Sequence, residues 1–373
     1  MPRFASLLRR RAAFRRSLWT GPAIHTLATK ARAQATVGVH ADSLVLHRYS
    51  IRAGFTYDLT RATAIPLVGK VLPYFVLAWA MLRYSEFHVF YNRGVLPQMV
   101  PGRFNEDELS LLRDRGIEVY FWAYGADVRT RDATLALGSP NCCERCPEIG
   151  AFCVCDERTG HENILFITSK ASGCATMGDM ALYTPAADAS VYYWPVDLAE
   201  ADGHRFRVLA PEHRAELDEI VVAHAPNNPT LKGTAHLEAA VETLRSEGVR
   251  VRLDLVSGVD NDTVLDRFRR ADIVFDQCVV GFHGYTSLEA MAVGRPVLCF
   301  LRDPARDLAE PDACPIVNIT PSTLTATLRE LCLDSERRRQ LGEQGRRYIE
   351  LHHSLDAVGH RIEQFIATQQ EAS

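Results

Sequence analysis

What most constrains this chain is an alternation, met twice along it, of short apolar or β-branched runs with segments of helical period, the pattern of parallel βαβ units. In the first half, strands are expected near Ser17 to Thr20, Ser43 to His47, Glu86 to Asn92 and Glu118 to Ala123, with a last one at Val191 to Pro195. A Cys-rich insertion, Cys142 to Cys155, interrupts that run. In the second half, Glu219 to Ala223, Arg250 to Val256, Ile273 to Asp276 and Pro296 to Leu301 read as strands. Helices are expected over Gly233 to Glu247, Asp262 to Arg270 and about Thr286 to Val293. Leu237, Val241 and Leu244 give the first of these one apolar face. Asp262 is placed to cap the second, and Gly294 with Pro296 stops the third. From Pro321 onward the sequence reads as helices. A chain of 373 residues outgrows one hydrophobic core. The expectation is an α/β protein of two doubly wound, Rossmann-like domains, 1–200 and 201–373, parting near Asp197 to Pro211 where strand patterning lapses.

Charge narrows the partners. A formal net charge of -4 offers no broad attraction to nucleic acid. Basic residues gather before Asp42, among them Arg3, Arg9, Arg10, Arg11, Arg15 and Arg16, and two readings stand side by side: a solvated terminus, or a contact with an anionic membrane surface. Ile65 to Leu82 is apolar enough to suggest a membrane span, but Lys70 and Pro73 fall mid-segment, so it reads as a buried or surface-docked helix. Ten cysteines without a convincing secretory signal favour a reducing compartment, hence a cytoplasmic protein, with a peripheral position on the inner membrane face as the finer expectation.

Two segments carry chemistry. His224 to Gly233, HAPNNPTLKG, leaves a strand and opens a helix, where unpaired N–H groups and the helix dipole attract anions, and Lys232 adds a mobile positive charge. Asp276 to Pro296, DQCVVGFHGYTSLEAMAVGRP, supplies Gly281 and Gly284 for close backbone approach and amides around His283, Tyr285 and Thr286 that would aim at a diphosphate. Glu289 reads equally as a ribose-hydroxyl acceptor and as a helix-surface carboxylate.

In order and separation, HAPNNPTLKG, ADIVFDQ and GFHGYTSLEAMAVGRPV resemble the donor-binding half of GT-B glycosyltransferases of family 4, the retaining type. The resemblance implies two Rossmann-like domains facing each other across a cleft, with a UDP- or GDP-sugar donor and a polysaccharide, lipid-linked or other glycan acceptor. It places Lys232 on the donor diphosphate and Glu289 on the ribose, with His224, Asn227, Gly281, His283, Gly284, Tyr285 and Thr286 lining the donor site. Tyr124 to Arg129, YGADVR, resembles the family's HGSD-type turn; with Gly21 it places Tyr124, Asp127 and Arg129 on the acceptor side, and Asp127 is the candidate base. Its bland role is to bond nearby turn amides. Three departures stand out. Gly281 occupies the place of the first Glu of the family's carboxylate pair, Asn227 that of an arginine five residues before the lysine, and Tyr124 that of a histidine. Two alternatives to a transferase therefore remain open, a GT-B nucleotide-sugar epimerase and a catalytically silent sugar-nucleotide binder.

No catalytic metal is expected, because no Asp-x-Asp pair is placed to hold one on the diphosphate. Cys143, Cys146, Cys153 and Cys155, with Cys142 to spare, have the two close pairs that suit a structural Zn²⁺, with disulfides or free thiols as the other reading.

Overall fold

The computed structural model describes residues 15–22, 24–47, 54–151, 153–209, 219–308 and 310–372. The basic stretch before Arg15 and the end of the expected 197–211 boundary lie outside them. The chain divides into two units, 1–133 with 150–195 and 355–373, and 134–149 with 196–354.

The first unit is built on a six-stranded parallel sheet, β1 (Arg16–Thr20), β2 (His40–Val45), β3 (Tyr57–Asp58), β4 (Glu86–Phe90), β5 (Glu118–Trp122) and β6 (Gly173–Ala175). The strand order is β3-β2-β1-β4-β5-β6, that of a Rossmann sheet whose direction of winding reverses between β1 and β4. Around it lie α1 (His25–Thr36), α2 (Pro66–Arg83), α3 (Glu106–Asp114) and α4 (Glu157–Lys170). Asn105 and Asp156 cap α3 and α4 by accepting from Glu108 N and Thr159 N. The core holds Trp19, Phe87, Phe121 and Trp122; Trp19 stacks on His88 with centroids 4.1 Å apart, and the Trp122 indole donates to His88 Nδ1. The expected strand at Val191 to Pro195 is not one: β6 closes the sheet instead, and Tyr193 turns its hydroxyl onto the Ala123 carbonyl.

The second unit is a five-stranded parallel sheet, β7 (Ile220–His224), β8 (Val251–Leu255), β9 (Ile273–Gln277), β10 (Val297–Cys299) and β11 (Val317–Asn318), in the order β11-β10-β9-β7-β8. Its helices are α5 (Pro229–Lys232), α6 (Thr234–Ser246), α7 (Asn261–Arg270), α8 (Tyr285–Ala292), α9 (Leu324–Leu333) and α10 (Ser335–Tyr348). Leu237, Val241 and Leu244 of α6 enter a core with Phe275, Leu298 and Leu328, as their spacing predicts. The helix expected over Gly233 to Glu247 is α6, with Gly233 as its N-cap at φ +77° and also the residue that ends α5, while one local expectation changes. The cap of α7 is Asp260, which accepts from Thr263 N; Asp262 lies inside the first turn.

The partition at 200/201 also changes. The terminal helix α11 (Leu355–Ala372) belongs to the first unit, where it lies against α1. A Cβ at Gly359 would stand 2.2 Å from the Ala33 carbonyl oxygen, so only glycine permits that approach. Phe365 then packs edge-on against Trp122 and Tyr120.

Candidate functional site

In open α/β sheets ligands bind beyond the carboxyl ends of the strands where the winding reverses. In the second unit that point lies between β7 and β9, and the loops leaving those two strands carry both chemistry-bearing segments. The β7 loop ends in α5, capped by Asn228, whose side chain accepts from Leu231 N at 3.1 Å. Lys232 closes that short helix and is tied to the second loop through its own carbonyl, which accepts from Cys278 N.

The Lys232 ammonium is 2.7 Å from Asp276 Oδ1, at the end of β9. Asp276 Oδ2 accepts from Gly284 N and from Ser287 Oγ, each at 2.7 Å. An ammonium, a helix-start amide and a hydroxyl therefore converge on one carboxylate, a donor set of the kind that holds a phosphate. Burial alone would raise the Asp276 carboxyl; Lys232 and the two hydrogen bonds outweigh it and hold it below its ordinary value. Gln277 shapes the loop between. Its amide donates to the Phe282 and Phe300 carbonyls, and its oxygen accepts from Val279 N and Val280 N. Neither Asp276 nor Gln277 was singled out in the sequence, although both stand in the quoted ADIVFDQ run; a polar pair ending a buried strand was the available signal.

The other residues separate. Glu289 is buried on α8 and accepts from Asn261 Nδ2 at 2.9 Å; burial pushes its carboxyl up to about 7 against that bond and the nearby Arg205. His224 is turned into the core, with Nδ1 on the Phe275 carbonyl and Nε2 on Thr234 Oγ1, and burial lowers it to about 4. It holds β7 to β9 as a neutral ring. Asn227 is exposed on the loop. His283 is buried against Phe282, Gly281 has φ +103° and its carbonyl accepts from Arg302 N, and Tyr285 and Thr286 are half-buried at the start of α8.

In the first unit the winding reverses between β1 and β4. Gly21 follows β1, and a Cβ there would meet the Phe90 ring at 2.6 Å. Asp127 is fully buried beyond β5 and accepts from Tyr91 N, Tyr124 N and Gly125 N at 2.9 to 3.2 Å. Burial raises it to about 7 against those three amides. Tyr124 accepts from Asn92 Nδ2 through its hydroxyl. Arg129 makes a two-pronged contact with Asp179, at 2.8 and 2.9 Å.

The cysteine set is divided between the two units, Cys143 and Cys146 in one and Cys153 and Cys155 in the other. All four are half-buried. Among the described residues no three His, Cys, Asp or Glu side chains are gathered as a metal ion would require, so the four-thiolate arrangement drawn from spacing is not assembled.

No protein-family model matches the sequence, and no curated protein matches it. Solved structures do. Sucrose-phosphate synthase from Thermosynechococcus elongatus is similar at a TM-score of 0.57 and 13% identity, over 96% of this chain and 100% of that one. An α-glucosyltransferase solved with UDP-glucose and DNA containing an abasic site also reaches 0.57, at 10% identity, over 94% and 98%. WaaG, a glycosyltransferase of lipopolysaccharide biosynthesis, gives 0.51 at 12% identity, over 94% and 98%. The fold is GT-B. Each GT-B unit has its own winding reversal, and the Lys232–Asp276 cluster occupies the one in the second.

Proposed function

We propose that the chain is a glycosyltransferase that moves a sugar, with retention, from a nucleoside-diphosphate sugar to a polysaccharide, lipid-linked or other glycan acceptor. The observation that carries the reading is the cluster of Lys232 Nζ, Gly284 N and Ser287 Oγ at the β7/β9 reversal. As the glycosidic C–O bond breaks, charge grows on the leaving diphosphate. Lys232 and the first amides of α8 stabilise it at little reorganisation cost, because the fold already holds them in place. Glu289 takes the ribose hydroxyls, and Asn261 fixes its carboxyl for that task. UDP is the first base to try, since the similar α-glucosyltransferase was solved with UDP-glucose. The acceptor belongs to the first unit's reversal, near Gly21 and Asp127.

One observation favours a second reading. Asp276 already engages Lys232, Gly284 N and Ser287 Oγ, which leaves less stabilisation for the charge on a leaving diphosphate and suits a protein that holds a sugar nucleotide chiefly through Glu289 without turning it over. A panel of UDP-, GDP-, ADP- and dTDP-sugars, scored by thermal shift and by donor hydrolysis on wild type, Lys232→Ala and Glu289→Gln, separates the two. Stabilisation by one nucleotide family with slow hydrolysis, both lost in the variants, supports the transferase. Stabilisation without hydrolysis supports the silent binder, and no stabilisation by any nucleotide sugar rejects both.

A further inference from the structure

The helix α2 shows two faces of opposite exposure. Pro73, Val76, Leu77 and Ala80 are buried against the first unit, which is the inner face of an ordinary surface helix. The outer face of such a helix should be polar. Here Leu67, Val71, Tyr74, Phe75 and Leu82 recur at helical spacing on the exposed side, with Leu67 75%, Phe75 68% and Leu82 88% exposed. Trp79 flanks them, half out of the protein and edge-on to Tyr57 and Tyr84. Beside it lies a cavity of about 250 Å³ lined only by Leu44, Tyr57, Leu59, Phe75, Val76 and Trp79. A continuous apolar stripe of this kind marks an interaction surface, unlike scattered exposed leucines.

Charge selects the occupant. Between Asp58 and Glu86 the chain has no acidic residue, whereas Lys70 and Arg83 on α2 and Arg61 in the short helix Thr60–Thr63 just before it are all exposed. A second copy docking face to face would bring these cations together with no carboxylate among them to pair, which like-charge repulsion opposes. An anionic lipid surface pairs with all three, accepts the stripe into the acyl boundary, and suits the amphipathic rings of Tyr74 and Trp79. The buried Pro73, Val76, Leu77 and Ala80 hold the helix on the first unit, which suits a helix lying along the membrane rather than crossing it. We propose that α2 lies in the interface of an anionic membrane and seats the first unit on it. This rests on α2 alone and stands or falls independently of the transferase reading.

The test is flotation of the full chain with vesicles of phosphatidylcholine alone or mixed with phosphatidylglycerol. The expected result is binding to the mixed vesicles only, weakened by salt, at least tenfold weaker for Leu67→Glu/Leu82→Glu and reduced severalfold for Lys70→Glu. Both changes are at exposed positions, and circular dichroism and thermal melting check that the fold is kept. Trp79 gives a second readout in unaltered protein, because Trp19 and Trp122 are fully buried and Trp194 is only 9% exposed: brominated lipid should quench the Trp79 part of the emission. No binding to either vesicle, or binding that the double change leaves intact, overturns the proposal. So does a dimer in sedimentation that the double change dissociates, which would give the face to a second copy.

Discussion

The Lys232 ammonium and the Asp276 carboxylate lie 2.7 Å apart, and the carboxylate is completely buried while the lysine is 19% exposed. Removing the lysine alone leaves a buried carboxylate without its counter-charge. Lys232→Ala should therefore cost about 3 kcal/mol of stability, the lower end for breaking a buried pair. Lys232→Ala/Asp276→Ala should recover much of that loss, and urea unfolding of the four forms gives the coupling directly. The pH response has a definite sign. With its folded value held below the unfolded one, Asp276 contributes stability that is complete above the ordinary carboxylate range and is lost as pH falls through the folded value. Lys232→Ala should lose less stability on acidification than wild type.

Glu289 behaves in the opposite way. Its folded carboxyl is raised to about 7, so its contribution to stability is complete below about pH 4 and is lost as pH rises toward that folded value. A ribose hydroxyl donating to Glu289 favours the ionised form, so nucleotide binding near pH 7 should release a proton. Calorimetry in two buffers of different ionisation heat would show it. Glu289→Gln should abolish the proton release, and an unchanged release would place the proton elsewhere.

The two glycines of the β9 loop should respond differently to alanine. Gly284 has φ −92°, which any residue adopts, but a Cβ there would stand 3.2 Å from Lys232 Nζ and 3.3 Å from Asp276 Oδ2. Gly284→Ala should melt within a few degrees of wild type while losing at least tenfold in nucleotide affinity. Gly281 has φ +103° and faces Arg302 Nε at 3.2 Å, so Gly281→Ala should lose roughly 1–3 kcal/mol through backbone strain. Parallel melting and titration of the two variants distinguishes crowding at a site from strain in a scaffold.

Much of this architecture was legible because it rests on local pattern. β7, β9 and α6 announce themselves by β-branched runs and by Leu237, Val241 and Leu244, and Lys232 is visible as a cation at a strand-to-helix turn. What escaped depends on distance along the chain. Nothing in Leu355 to Ala372 says that it packs on α1; the informative atom is the missing Cβ of Gly359, which matters only once Ala33 is beside it. The capture of Lys232 by Asp276, 44 residues on, is equally non-local, as is the withdrawal of His224 into the core between Phe275 and Thr234. The cysteine spacing suggested a site that needs its four sulfurs in one place, and among the described residues no such group is gathered.

Lys30 supplies the sharpest test of the first unit. It is fully buried on α1, its ammonium has no hydrogen-bond partner among the described residues, and it lies 4.8 Å from the Phe90 ring centroid and 4.9 Å from that of Tyr193. Burial lowers it to about 7, with the Asp127 carboxylate opposing the fall. Because its folded value is below the unfolded one, the folded state prefers the neutral amine: stability is complete above about pH 10 and is lost as pH falls toward 7. Methionine fills similar space without a charge to desolvate. Asp127 keeps its three amide donors from Tyr91, Tyr124 and Gly125 after the change. Lys30→Met should therefore be more stable than wild type by a few kcal/mol at pH 6, and by less at pH 9. Urea midpoints at the two pH values measure this. A variant less stable than wild type at both would mean that Asp127 is ionised and depends on Lys30, making the pair an electrostatic part of the acceptor-side loop rather than a tolerated burial.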